Sequence, residues 1–164
     1  MVVKWAPNAT SGTLVAGVPG VQGSTSNKLG RLRFIHLDEN QGAIYVSDSS
    51  NNRIQKFIIG GNGTGVTVAG NGTVGTGLNQ LNGPSGIWVT RDGKTIYVAD
   101  NGNNRVMKWT IGVTQGSVVG GSISGVAGTN QLLNQPADVA LDPSETYLYV
   151  SDYGNHRVQR FRVK

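Results

Sequence analysis

The chain is 164 residues long, an ordinary length for one domain, with 25 glycines, no cysteine, 14% charged residues and a formal net charge of +5. The missing thiols exclude a disulfide framework, a thiolate zinc site and a cysteine nucleophile. No apolar run reaches membrane-spanning length and Met1 to Trp5 carry no leader pattern, so the expectation is a soluble protein of unassigned compartment.

From the N-terminus, Val2 to Trp5 and the segment GTLVAG (12–17) read as two short strands. A third strand is centred on Ile35 and Leu37. After it, YVSDSSNNRIQKF (45–57) reads as two strands joined by an Asn-rich turn. The same hairpin recurs as YVADNGNNRVMKW (97–109) and YVSDYGNHRVQRF (149–161), placing Asp48, Asp100 and Asp152 at intervals of 52 residues. The frame extends upstream, where Leu29, Leu81 and Leu133 align, as do Ile35, Ile87 and Val139, and then Leu37, Val89 and Leu141. Downstream, GVTVAG (65–70) and GSVVGG (116–121) match GTLVAG.

Each unit therefore holds four strands rich in β-branched and aromatic residues, bounded by Gly, Asn, Asp or Pro. The second of them is apolar at both parities, as in Ile96, Tyr97 and Val98, which suits a strand packed on two faces. A tandem of four-stranded units that each need neighbours on both sides is the pattern of a β-propeller. With strands lettered a to d outward from the channel, the chain reads c-d (1–17), a-b-c-d (29–70), a-b-c-d (81–121) and a-b-c (133–164) within a single domain.

The segment GPSGIWVTRDGKTIYVADNGNNRVMKW resembles an NHL repeat, with its Pro-x-Gly-Ile start, its Tyr-Val-Ala-Asp strand and its Asn-x-Arg-Val turn. That resemblance implies an all-β, NHL-type propeller of six blades used as an interaction platform, with RNA-binding relatives and an enzymatic lyase branch. The first copy departs from it, with Leu32, Arg33 and Phe34 where the second has Pro84, Ser85 and Gly86. Three blades cannot close a ring, so the expectation is a homodimer closing to six blades by strand exchange through Leu14, Val15, Val158 and Phe161. Two copies supply one surplus c strand per junction: either Met1 to Trp5, favoured because Val158 to Phe161 is held by its short turn to strand b, or Val158 to Phe161 is the one displaced or frayed.

The pairs Asp48/Arg53, Asp100/Arg105 and Asp152/Arg157 sit at equivalent turns, where each Asp is expected to accept local backbone N–H groups and each Arg to pair with it or with a neighbouring blade. His36 and His156 are too few for a metal centre, and no nucleophile elbow, phosphate-cradling loop or acid/base pair is found. The reading is therefore a non-catalytic scaffold without cofactor. Seven of the fourteen basic residues fall on strand c, and the remainder includes Lys28, Arg31 and Arg33, a basic cluster before the first inner strand. An RNA-binding reading uses that cluster with Phe34 or Tyr153 stacking on bases. A peptide- or protein-binding platform uses Arg33, Asn103 and Tyr153, with His156 in the adjoining turn, on the face of the d-a and b-c loops.

Overall fold

The computed structural model describes residues 1–121 and 132–164, and its regular elements are β-strands and single 3₁₀ turns. Strands β1 (Val2–Lys4) and β2 (Thr13–Ala16) form a two-stranded ribbon. A first four-stranded meander follows, made of β3 (Leu32–Asp38), β4 (Ala43–Asp48), β5 (Arg53–Ile58) and β6 (Val66–Ala69). The second comprises β7 (Ile87–Val89), β8 (Thr95–Asp100), β9 (Arg105–Thr110) and β10 (Ser117–Gly121). A three-stranded sheet closes the series with β11 (Pro136–Leu141), β12 (Tyr147–Asp152) and β13 (Arg157–Arg162). All pairings within the four sheets are antiparallel.

The two-faced burial of the second strand follows from sheet stacking. Ala43 and Tyr45 of β4 pack toward the second meander with Ile87, Val89 and Trp109, whereas Ile44 and Val46 face the ribbon with Ala16. In β8, Ile96 and Val98 point back to the first meander, and Tyr97 and Ala99 point on to Leu133, Val139 and Leu148. Alternation of side chains along a strand thus feeds two cores at once. Strand β12 has a covering sheet on one face only: Leu148 and Val150 are buried, but Tyr149 is 40% exposed.

Each 3₁₀ turn between the second and third strand, at Ser49–Asn51, Asn101–Asn103 and Tyr153–Asn155, ends on a left-handed residue. Those residues are Asn52, Asn104 and His156, with φ of 50°, 53° and 54°; Asn tolerates that conformation better than most side chains. Where the first copy lacks the Pro-Ser-Gly segment, β3 starts at Leu32, pairs there with Asp48 and bulges before Ile35. The third copy enters its inner strand the same way, with Pro136 paired to Asp152 and a bulge before Asp138, because a proline is tolerated as the first residue of a strand.

In the single chain, Val2–Lys4 is not displaced. It pairs with β2 through Val2 to Ala16, Val3 to Leu14 and Lys4 to Thr13.

Candidate active site at the inner strands

The three Asp/Arg pairs form one repeated knot. Arg105 Nε donates to Asp100 Oδ2 at 2.8 Å, and its remaining nitrogens donate to the carbonyls of Thr76, Gly77 and Gln80. Asp100 Oδ1 accepts from Asn82 N at 2.7 Å, and Asn103 Nδ2 bridges Asp100 Oδ2 and the carbonyl of Gly75. Arg53 with Asp48 and Asn51 repeats this on Ser24, Thr25 and Lys28; Arg157 with Asp152 and Asn155 repeats it on Leu132. The expectation that each Asp caps its own turn is corrected here. The carboxylate takes a backbone N–H 18 residues upstream, from Gly30, Asn82 or Asn134, and no side-chain cap bond forms within the turn. The physical reason is that the loop leading into the sheet brings a row of otherwise unpaired backbone groups against the turn, and a charged fork satisfies several at once.

The knot is satisfied to different degrees of burial. Arg105 is fully enclosed, while the Arg157 side chain is 32% exposed. Burial pushes the Asp100 carboxyl up against the opposing hydrogen bonds. At Asp152 burial also pushes upward, but the bonds from Asn134, Asn155 and Arg157 outweigh it and the carboxyl is held below its usual 3.8.

A different concavity opens at the other ends of the inner strands. A cleft of about 530 Å³ is bounded by β3, β7 and β11 and their following loops, with His36, Asp38, Trp88, Arg91, Asp142 and Glu145 among its walls. His36 stands edge-on to Trp88 with ring centroids 5.2 Å apart, and to Tyr45 at 6.4 Å. Burial lowers the His36 pKa from 6.5 and outweighs the opposing charge of Asp38, so the imidazole is neutral at physiological pH. Burial, with the Asp38 charge second, raises the Tyr45 phenol to about 12. Asp38 is buried; its Oδ1 accepts from Gln41 N, while its Oδ2 has no hydrogen-bond partner. The loops are tied together by Arg91 N donating to Glu145 Oε1 at 2.6 Å and by a longer bond from Arg91 to the carbonyl of Pro143. A neutral imidazole at the mouth of a cleft can take a proton from water. Among the described residues no group of three or more His, Asp or Glu is placed to hold a metal ion.

A larger groove of about 870 Å³ runs along β6, but its charged wall residue, Arg53, is committed to Asp48 and three carbonyls.

The residues singled out from sequence lie away from the cleft, except His36. Arg33 and Phe34 are exposed in the bulge of β3, and Arg31 precedes it with its backbone N–H donating to Ser50 Oγ. Tyr153 and His156 are exposed on the last turn, whereas Asn103 is buried inside the knot, where its amide is already used. No contact joins Arg31 or Arg33 to Tyr153 or His156 among the described bonds. The cleft residues other than His36 were missed, although a signal exists: Asp38, Thr90 and Asp142 occupy the same place in the 52-residue frame, each just past the inner strand.

A sequence profile of the family described as lactonase, 7-bladed β-propeller, matches residues 33–164. The chain belongs to this lactonase family. That membership overturns the expectation of a non-catalytic protein: the family name denotes a hydrolase, and the absence of familiar motifs does not argue against chemistry built from dispersed side chains on a propeller. It also names seven blades where the NHL resemblance implied six. No curated protein matches the chain. Among solved structures, a "putative 6-phosphogluconolactonase" from Bacteroides fragilis NCTC 9343 is 18% identical with a TM-score of 0.61, covering 99% of this chain and 44% of that one. An auxiliary nutrient binding protein from Bacteroides thetaiotaomicron VPI-5482 is 16% identical with a TM-score of 0.60, covering 79% of this chain and 36% of that one. The nidogen/laminin complex gives 20% identity and a TM-score of 0.58 over 79% of this chain and 42% of that one. At such identities the likeness shows the β-propeller fold, and the lactonase-family chain spans less than half the length of these structures.

Proposed function

We propose that the chain takes part in hydrolysing a small hydroxylated cyclic ester, a sugar lactone, in the cleft at the inner strands, with His36 as general base. The observation that carries this reading is the neutral, half-buried imidazole on the wall of a cleft large enough for one sugar ring. As water adds to the lactone carbonyl carbon, His36 accepts a water proton. The acyl C–O bond then breaks, and the proton passes from the imidazolium to the leaving alkoxide, giving a hydroxy acid.

The cleft's charges refine the substrate class. Asp38, Glu39, Asp142 and Glu145 line the cleft with Arg91, and Lys164 pairs with Glu145 Oε2 at 3.4 Å, so four carboxylates against two cations leave the local field negative although the chain is basic. An unphosphorylated lactone fits that field better than a phosphorylated one, and the carboxylate product is repelled from it. A pH-stat assay with glucono-δ-lactone tests the reading. His36→Gln is expected to lower kcat by about 10² to 10⁴ with the fold retained. Full activity in the variant, or a preference for the 6-phosphorylated substrate, refutes it.

A second copy is the partner we infer for closing a ring, which three blades from each copy make six-bladed, one blade fewer than the family name states. Ile35 and Leu37 are 55% and 50% exposed, while Ile87, Val89, Val139 and Leu141 in the same frame are buried by the preceding sheet. At the opposite end Tyr149 lies open where Tyr45 and Tyr97 are covered. Each open face is the kind of surface that the other packs against inside the chain. Light scattering on the 164-residue chain is expected to give the mass of two copies, and a folded monomer at micromolar concentration counts against it.

A further inference from the structure

We propose that β1 is an intramolecular placeholder: it occupies on β2 the position that β13 of a second copy takes in the closed ring, so that assembly requires β1 to be displaced. This rests on the two-copy ring inferred above, and the test below separates the two.

The first support is register. Val2 to Ala16, Val3 to Leu14 and Lys4 to Thr13 reproduce, bulge included, the pairing of Ile54 to Ala69, Gln55 to Thr67 and Lys56 to Val66 in the first meander. The second meander repeats it with Val106 to Gly120, Met107 to Val118 and Lys108 to Ser117. Each step adds 52 residues on the inner strand of the pair, and the next positions in the frame are Val158, Gln159 and Arg160 of β13. Among the described residues no strand pairs with the outer edge of β13. Strand exchange therefore pairs Val158 with Ala16 of the partner subunit, Gln159 with Leu14 of the partner subunit and Arg160 with Thr13 of the partner subunit.

The second support is the imperfect fit of β1 in the place it holds. It is a three-residue strand in a two-stranded ribbon, and an isolated ribbon is marginal in water. Trp5 stands where Phe57 and Trp109 stand in the complete sheets; both of those are buried, yet Trp5 is 61% exposed. By contrast β13 is six residues long, is held to β12 along its whole length, and carries Phe161 partly buried at that same position. Its Val158 is 69% exposed, whereas Ile54 and Val106 in the same frame are fully buried. Exchange keeps the β2 ladder at the same register, so backbone hydrogen bonding is nearly unchanged, while apolar side chains gain the cover they lack.

Because the chain has no cysteine, paired cysteines report the exchange directly. The Leu14→Cys/Gln159→Cys variant is expected to form a covalent two-chain species on mild oxidation, and Val3→Cys/Leu14→Cys to cross-link within one chain when oxidised dilute but not when oxidised as the assembled dimer. Independently, Val3→Pro is expected to tighten dimerisation at least tenfold by weakening β1, and Val158→Pro to weaken it by as much. An assembled dimer in which the Val3→Cys/Leu14→Cys cross-link forms on oxidation, or a dimer that Val3→Pro weakens, overturns the placeholder while leaving the ring intact. A protein that stays monomeric in wild type and in every variant overturns the ring itself, and the placeholder with it.

Discussion

Replacing Arg105 by Ala should be among the most damaging single changes in this protein, and the structure gives the size. The substitution leaves Asp100 fully buried without its cation and strips the donor from the carbonyls of Thr76, Gly77 and Gln80. Removing one partner of a buried ion pair costs about 3–5 kcal/mol, against a total stability of about 5–15 kcal/mol for a typical domain. For a chain of this size that corresponds to a drop in Tm of roughly 6–20 °C. Arg157→Ala removes the described bonds to Asp152 and the Leu132 carbonyl from a side chain 32% exposed, where water can replace the lost donors, so about 1–2 kcal/mol is expected there. Arg105→Lys keeps the charge but not the planar fork, and should lose most of what Ala loses. Urea unfolding followed by circular dichroism, on the 164-residue chain at one fixed concentration, measures all three. Equal losses at positions 105 and 157 would refute the claim that enclosing the knot raises its cost.

Asp152→Asn tests the hydrogen-bonded carboxyl: because its folded pKa lies below 3.8, its stabilisation is complete above that value and is lost as pH falls through the lower folded one. The variant should be less stable at pH 7 and show a shallower loss than wild type between about pH 4 and pH 2, measured by urea titration at each pH. Tyr45 has the opposite sign. Its folded pKa of about 12 against 10.0 means that its contribution is whole below pH 10.0 and is lost as pH rises through about 12. Tyr45→Phe should flatten the stability curve across that window, and should cost nothing at pH 7 because the hydroxyl has no hydrogen-bond partner. A Tyr45→Phe curve parallel to wild type in alkali would count against the buried phenol.

The arrangement of strands was legible because every alternation in the sequence had a partner 52 residues away. Ile96, Tyr97 and Val98 cannot all be apolar on a sheet with one wet face, and the paired clusters on either side of β8 are the consequence. The turn asparagines marked the place but not the residue: Asn52 and Asn104 are left-handed, and in the last copy His156 rather than Asn155 takes that conformation. The knot was half readable. Asp and Arg five apart suggested a pair, but the carbonyls that Arg105 gathers lie 25 to 29 residues upstream, in loops whose path no local rule fixes. The cleft was least readable, since a propeller site is assembled from one or two residues of each inner strand. His36 differs in kind from its frame equivalents Trp88 and Ala140, whereas nothing in the local sequence around Glu145 marks it as a cleft residue. Repetition exposes what all blades share, whereas function sits in positions where they differ.

Asp100 and Asp152 show how far a neighbouring sheet sets the chemistry of identical residues. Both carboxylates accept one backbone N–H, one Asn amide and one Arg Nε at nearly the same distances, yet burial dominates at the first and hydrogen bonding at the second. The local sequence is common to both, so the difference lies in what packs over them: the second meander has a sheet on each side, and the last has one side open. Covering that open side would bury Arg157 as Arg105 is buried and drive the Asp152 carboxyl upward toward the behaviour of Asp100. The titration of this one group therefore reports on assembly, because its hydrogen bonds stay fixed while the solvent over its partner Arg157 is taken away.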